Sequence, residues 1–145
     1  MPEEGTGLQS LVGYHLRRAS VFDLAGALAA LQPVNGRPAT LSVLMCIVEQ
    51  PGVSAAEICR TLGLQRANIV QLLVDLEGQG LFTRETDAAD QRIQRLYPTP
   101  EGKAAAQDWL RRLRDHEARM LERLSPAEQA ELRRLLGRVW MEEAP

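Results

Sequence analysis

The sequence is poor in aromatic residues, which make up 4% of its 145 residues although 45% are hydrophobic. A core for this chain must therefore consist mainly of Leu, Val and Ala, a composition that favours packed helices. No apolar run approaches the roughly 20 residues that a membrane-spanning helix needs, and no membrane association is expected. A chain of this length fits one domain, and we predict a single domain over residues 1–145.

The sequence also has few residues that bind metals or carry out nucleophilic chemistry. Its two cysteines and two histidines lack metal-ligand spacing, so we predict no metal, no cofactor and a reduced, cytosolic protein. The first residues, MPEEGTG, lack the basic and apolar regions of a signal peptide. The sequence contains no Gly-rich phosphate loop and no nucleophile elbow, and an enzyme is therefore not expected.

Positive charge is not in excess either, since 17 basic residues stand against 19 acidic ones. Residues 54–99 contain five arginines (60, 66, 84, 92 and 95) and six acids (57, 75, 77, 85, 87 and 90). Nonspecific attraction to phosphates cannot carry nucleic-acid binding in such a segment. Binding would depend on a few placed arginines and on the amides at helix N-termini.

Residues 53–80 have the pattern of two short helices joined by a tight turn. Ser54 and Glu57 have the spacing of a capping box that starts the first helix. Gly63 supplies a turn residue that tolerates a positive φ, and Gly80 is expected to end the second helix. Apolar residues in the second helix recur at spacings of 3 and 4, and these are Ile69, Leu72, Leu73 and Leu76. The pattern is typical of a helix-turn-helix, whose second helix enters the DNA major groove.

After Gly80 the hydrophobic period changes from 3.6 to 2, which predicts short strands at 81–84 and 93–97. A two-stranded ribbon directly after a helix-turn-helix is a wing. Arg92 and Arg95 are expected to reach a phosphate or the narrow minor groove from it. Asp90 has the spacing to orient the Arg92 guanidinium, although the two residues could equally form an ordinary solvated ion pair.

Helices are predicted on both sides of this unit. An apolar stripe runs along residues 8–31, and the next helix, 39–50, is apolar nearly all round and should be central and buried. Thr99 and Ser125 are the expected N-caps of two further helices, which have apolar stripes of their own. Because these stripes need a partner, we predict dimerisation helices at 8–32 and 100–141 around a DNA-binding lobe at 39–99.

The stretch LEGQGLFTRETDAADQRIQRLYPTPEG resembles the multiple-antibiotic-resistance regulator (MarR) family of transcription regulators. The matching positions are Leu76-Glu77, Gly80-Leu81, Arg84, Asp87, Asp90, Arg92, Thr99 and Gly102. The resemblance extends from the first helix to about Trp140. It implies a mainly α fold, namely a winged helix-turn-helix with a small two-stranded β-wing and a helical dimerisation region formed by the N- and C-terminal helices. It also implies that a homodimer binds double-stranded operator DNA.

Two departures from the family pattern carry expectations of their own. Pro98 stands where Leu is usual, and we expect the second strand to end early because proline cannot donate a ladder hydrogen bond. Ala67 and Val70 stand where small hydroxyl residues are frequent, which removes hydrogen-bonding contacts to DNA.

The expected function is that of a ligand-responsive repressor on a pseudo-palindromic operator. Asn and Gln side chains can pair with adenine, and Arg with guanine or a phosphate, unless they simply form a solvated face. The candidate DNA contacts are Gln65, Arg66, Ala67, Asn68 and Gln71 on the second helix and Arg84, Asp90, Arg92 and Arg95 on the wing. The alternative is a dimer that keeps the winged fold as a protein-interaction module without specific DNA binding, which the near-neutral charge of the lobe favours.

The resemblance further implies a small-molecule effector bound between the dimerisation helices and the DNA-binding lobe. His15, Arg18 and Phe22 share one face of the first helix, and Trp109 on a later helix could close a pocket over them. Such a set suits an aromatic acid or its coenzyme A thioester. Alternatively, His15 and Phe22 pack in the dimer interface and Arg18 is solvated. Cys46 and Cys59 are expected to be buried structural residues and not redox sensors.

Overall fold

The computed structural model describes residues 7–141, and this part of the chain is mainly helical. The helices are α1 (Val12–Leu31), α2 (Pro38–Glu49), α3 (Ala55–Leu62), α4 (Arg66–Gly78), α5 (Pro100–Met120) and α6 (Pro126–Trp140). Strands β1 (Phe82–Thr86) and β2 (Gln94–Pro98) pair antiparallel between α4 and α5. No helix in residues 7–141 is long and apolar enough to cross a membrane. Most of the N-terminal stretch for which no signal peptide is predicted lies outside the described residues.

Helix α2 lies at the centre of the fold, as its apolar sequence predicts. Its side chains Leu41, Val43, Leu44 and Ile47 are buried. The helix contacts α1, α3, α4, α5 and β2. The predicted first helix differs in one respect, because its opening turn, Gly7–Ser10, is a separate 3-10 turn before α1.

The predicted caps form at the ends of the helices, with one exception. Gly63 and Gly80 have φ values of 68° and 72°, as their turn positions require. Ser54 Oγ accepts a hydrogen bond from the Glu57 amide at 3.3 Å. The expected return bond from the Glu57 carboxylate is not made, because that carboxylate instead binds Arg95 of β2. Only half of the predicted capping box is therefore present there.

The expectation that β2 ends before Pro98 is wrong. Pro98 pairs with Phe82 at the end of the sheet. The Thr99 amide donates to the Leu81 carbonyl at 3.1 Å, which makes Phe82 and Pro98 a non-hydrogen-bonded pair. The proline nitrogen therefore points away from β1, and no ladder hydrogen bond is lost.

The wing is anchored at its base by two connections to the rest of the lobe. Val53 forms an isolated antiparallel bridge with Leu96 of β2, which ties the segment before α3 to the wing. Thr99 Oγ1 accepts from the Gly102 amide at 3.0 Å and donates to the Gly80 carbonyl at 2.7 Å. Helix α5 thus begins directly against the turn that follows α4.

Candidate nucleic-acid interface

Helix α4 separates its side chains cleanly into a buried and an exposed face. Ile69, Leu72, Leu73 and Leu76 are buried in the core, as their spacing predicts. Outward-facing residues occupy the complementary positions, and they are Ala67, Val70, Gln71 and Val74. The exposed face belongs to the second helix of the helix-turn-helix, which is the face that meets DNA in this motif.

The first turn of α4 presents polar side chains beside the backbone amides of the helix N-terminus. Gln65 is the N-cap residue, and its side chain makes no capping bond. Gln65, Arg66, Ala67 and Asn68 are all exposed. A helix N-terminus carries a partial positive charge, so this end suits a phosphate or an electronegative base edge.

Gln71 is oriented by a chain of contacts that runs to the start of α2. Its Nε2 atom donates to Asp75 Oδ1 at 3.1 Å. The other carboxylate oxygen of Asp75 accepts from Arg37 Nη2 at 2.9 Å. An ionised aspartate can only accept hydrogen bonds, so the amide nitrogen of Gln71, and not its oxygen, must face Asp75. This contact determines which way round the Gln71 amide group lies.

The loop between β1 and β2 holds one guanidinium out towards solvent. Arg92 Nε and Nη2 donate to the two Asp90 carboxylate oxygens, each at 3.1 Å. The Arg92 side chain is 90% exposed. The hydrogen bond from Arg92 lowers the pKa of the Asp90 carboxyl below its usual range. Asp90 and Arg92 thus form the contact that the spacing predicts.

Asp87 organises the loop itself. Its Oδ2 atom accepts from the amides of Asp90 at 2.9 Å and Ala89 at 3.1 Å. The backbone hydrogen bond from Asp90, followed by the side-chain bond from Arg95, holds the pKa of the Asp87 carboxyl below its usual range.

The other two arginines of the wing bind groups within the protein. Arg95 donates to Asp87 Oδ1 at 3.2 Å and to Glu57 Oε1 at 3.0 Å. Arg84 donates to Glu77 Oε2 at 2.7 Å, and its guanidinium lies 5.4 Å from the Phe82 ring centroid. The structure therefore places Arg95 at the base of the wing, where it holds the loop and β2 to α3, and its expected contact with a phosphate or the minor groove stays a prediction.

The four residues expected to hold an effector do not come together. Trp109 is buried. The loop before α2 packs so closely on it that a Cβ at Gly36 would lie 3.2 Å from its indole ring. His15 is exposed and contacts the Gln9 carbonyl at 2.8 Å. Arg18 is exposed on α1, and only Phe22 lies in a cavity. The expectation that Trp109 closes a pocket over α1 is wrong, because the core needs its indole.

The cavity that contains Phe22 lies between α1, the end of α5 and α6, and has a volume of about 540 Å³. Its walls are largely apolar, and its polar lining consists of Ser20, Gln129 and Arg133 together with the two acids Asp23 and Glu117. At one side His116 Nε2 is 3.1 Å from Asp23 Oδ1. His116 is buried, and its spacing of seven residues from Trp109 is that of the buried face of α5.

The cysteines have the environment expected of structural residues. Cys59 is buried and Cys46 is half-buried. Burial, followed by the charge of Glu49, raises the pKa of the Cys46 thiol and so disfavours the reactive thiolate. No cluster of three or more His, Cys, Asp or Glu side chains that could hold a metal occurs in residues 7–141.

Comparison with known proteins indicates the family to which this winged helix-turn-helix belongs. Residues 37–93 match a family model described as MarR family. Over 138 residues, 92% of this chain and 81% of its relative, the sequence is 30% identical to a protein of Thauera aromatica described as a transcriptional regulatory protein for the hcr operon. The chain belongs to the MarR family.

Solved structures of the family have the same fold. The transcriptional repressor CouR bound to a 23-mer DNA duplex superposes with a TM-score of 0.86 at 33% identity, over 96% of this chain and 98% of that chain. CouR from Rhodococcus jostii RHA1 bound to p-coumaroyl-CoA superposes with a TM-score of 0.83 at 26% identity, over 97% and 100% of the two chains. The predicted mainly α winged-helix fold is confirmed, and the protein is a transcriptional regulator and not an enzyme.

Proposed function

We propose that the protein is a homodimeric repressor that binds a pseudo-palindromic DNA operator and is released by a small acidic effector. The observation that carries the DNA-binding part is the Asp90–Arg92 pair, which holds a 90% exposed guanidinium on the wing of a winged helix-turn-helix. An exposed guanidinium at this place suits a backbone phosphate or the minor groove. The similarity to CouR, whose structure holds a DNA duplex, supports the same use of this fold.

In this proposal the contacts to DNA are divided between helix and wing. Gln65, Arg66 and Asn68 lie in the first turn of α4, where they meet bases and phosphates. Arg92 binds from the wing. Arg84 and Arg95 act indirectly, because their contacts with Glu77 and Glu57 hold the wing against the helices.

The homodimer is supported by apolar surface that the described chain leaves exposed on its terminal helices. On α1 and the turn before it these residues include Leu8, Leu11, Val12, Val21, Phe22 and Leu24, and on α6 they are Leu132, Leu135, Val139 and Trp140. Within residues 7–141, α6 makes only sparse contacts with the other helices. A two-fold dimer would cover both surfaces and place two copies of α4 about one helical turn of DNA apart, roughly 34 Å.

For the effector we propose the cavity between α1, α5 and α6. Phe22, Met120 and Leu132 offer an aromatic body an apolar wall, and Arg133 offers a cation for a carboxylate or phosphate. The p-coumaroyl-CoA bound in the CouR structure supports an aromatic acid or its thioester as the chemical class. Because Phe22 and Leu132 belong both to this cavity and to the surfaces that a dimer would cover, a ligand there would alter the spacing of the two α4 helices.

Two measurements test the repressor proposal. Sedimentation velocity should show a dimer that Val139→Glu converts to a monomer, whereas Thr61→Glu, an exposed position on α3, should leave it unchanged. Selection from a random duplex pool should enrich a two-fold symmetric sequence with the wild-type protein and lose that enrichment with Val139→Glu. A wild-type monomer, or enrichment of no sequence, would contradict the proposal and favour a protein-interaction module.

The effector is tested with p-coumarate and p-coumaroyl-CoA as probes. Either compound should raise the melting temperature of the wild-type protein and release the selected duplex. Arg133→Ala should weaken this response, whereas Arg18→Ala, an exposed arginine of α1 outside the cavity, should not. An equal response from both variants would show that the effector binds elsewhere.

A further inference from the structure

The exposed face of α4 is unusually apolar for a surface helix. Val70 and Val74 are 61% and 53% exposed, and they lie one turn apart beside the exposed Ala67. Valine has a lower helix propensity than the polar residues that usually occupy such positions, because its branched side chain loses rotamer freedom in a helix. At an exposed position no burial compensates for this cost within the described chain. The face therefore has the properties of a contact surface.

Charges around this face suit a polyanionic partner. The only cation within α4 is Arg66, at its first residue. The two acids of the helix, Asp75 and Glu77, are each paired with an arginine from outside it, namely Arg37 at 2.9 Å and Arg84 at 2.7 Å. These pairings offset the negative charges that would otherwise repel phosphates on either side of an inserted helix. An apolar helix face, with its acids paired to arginines and a cation at its N-terminus, fits the floor of a DNA major groove.

We propose that Val70 and Val74 recognise the C5-methyl groups of thymine in the operator. Thymine is the one standard base that presents a methyl group in the major groove, where apolar side chains contact it. Gln71 lies between the two valines, and Asp75 holds one of its amide hydrogens. Among the described residues its Oε1 atom and second N–H make no hydrogen bond, so both are available to adenine. The helix thus selects A·T base pairs mainly by methyl contacts and one oriented amide, with little contribution from arginine–guanine pairs.

This inference rests on the proposed repressor function, and removal of single methyl groups from DNA tests it. The duplex enriched by wild-type protein is resynthesised with deoxyuridine in place of thymidine. One thymidine position is replaced at a time, in both half-sites. Deoxyuridine keeps the base pairing and every hydrogen-bonding group of thymidine and lacks only the methyl. We expect an affinity loss of about fourfold for each contacted methyl. Replacements outside the α4 contact region should leave the affinity unchanged.

Protein variants assign each methyl to its side chain. Val70→Ala and Val74→Ala should each abolish the deoxyuridine penalty at one step and preserve it at the other. Both positions are exposed, so the variants should fold normally, which circular dichroism checks. Gln71→Ala is the matched control, because it should lower the affinity and leave both deoxyuridine penalties in place.

The possible failures of the two proposals are distinguishable. A selected duplex that binds equally with thymidine and deoxyuridine overturns methyl recognition and leaves the repressor function intact. A deoxyuridine penalty of full size in both valine variants also overturns it. Enrichment of no duplex by the wild-type protein overturns both proposals and points to a protein partner for the apolar face.

Discussion

Arg95 Nη1 lies 3.0 Å from Glu57 Oε1, and this contact ties the second wing strand to the first helix of the helix-turn-helix. The same guanidinium also donates to Asp87 at 3.2 Å, on the loop that carries Arg92. One partly exposed arginine thus connects α3, β2 and the wing loop. Its importance lies in geometry more than in global stability, because ion pairs at this exposure contribute little to folding.

Replacement of Arg92 by alanine should weaken binding to every duplex by a similar factor. The side chain is mostly exposed, and the proposal assigns it to phosphate or minor-groove contact. Loss of one phosphate contact in each subunit should lower the slope of log affinity against log salt by about one per subunit. Fluorescence anisotropy at several salt concentrations measures this. Arg111→Ala, an exposed arginine on α5, is the control, and an unchanged slope for Arg92→Ala would show that Arg92 does not contact DNA.

Arg95→Ala should lower DNA affinity by a different route. Without its contacts to Glu57 and Asp87, the wing loop should become more mobile while the core stays intact. Hydrogen–deuterium exchange should therefore accelerate in residues 87–94 and remain unchanged in α2. Arg60→Ala, an exposed arginine in the last turn of α3, serves as the control. Unaltered exchange in the loop would mean that Arg95 does not anchor it.

The order of the wing should depend on pH in the acid range. Hydrogen bonds from the Asp90 amide and Arg95 lower the pKa of Asp87 in the folded protein. The ionised form therefore stabilises the folded wing at pH values above the ordinary pKa of about 3.9, and this contribution disappears as the pH falls through the lower folded pKa.

An NMR titration checks this dependence. The amide resonances of Ala89 and Asp90 should be constant from pH 7 to about 5 and should shift below about pH 4. In Asp87→Asn the acid-dependent shift of the Ala89 amide should be absent. A shift of the same size in the variant would assign the titration to another carboxyl group.

Gly102→Ala should destabilise the protein strongly. A Cβ at this position would lie 1.9 Å from the Leu81 carbonyl oxygen, a backbone atom that cannot rotate away. Overpacking of this kind typically costs about 1–3 kcal/mol or more, so the free energy of unfolding should fall by at least that amount. Denaturant titration measures it.

Gly78→Ala is the matched control for this substitution. Gly78 ends α4, and a Cβ there would meet no atom within 4 Å. The substitution should leave the free energy of unfolding unchanged or raise it by up to about 1 kcal/mol, because alanine has the higher helix propensity. Equal destabilisation by both substitutions would show that the close contact with Leu81 is not the cause.

Much of the fold could be predicted because it depends on interactions between residues close together in sequence. Helix caps at Thr99 and Ser125 involve groups three residues apart, and both are formed. The buried face of α4 follows from apolar spacing in the same way. Asp90 and Arg92 are two residues apart, so their contact was also accessible from the sequence.

The long-range contacts were not accessible in this way. Glu57 and Arg95 are far apart in the chain, and nothing in their local sequence shows that Arg95 takes the carboxylate that a capping box would use. Trp109 has the spacing of a buried residue, but only the approach of Gly36 shows that its indole belongs to the core and not to a pocket.

By itself the sequence determined the helices, their caps, the change of period that makes the wing, and the family to which the chain belongs. These features follow from backbone geometry and from the spacing of apolar residues, which act within one or two turns. Only the tertiary structure decided that β2 continues through Pro98, that Arg95 anchors the wing and that the acids of α4 are offset by Arg37 and Arg84. Each of these outcomes depends on which partner a side chain or strand meets across the fold, and local spacing carries no information about that.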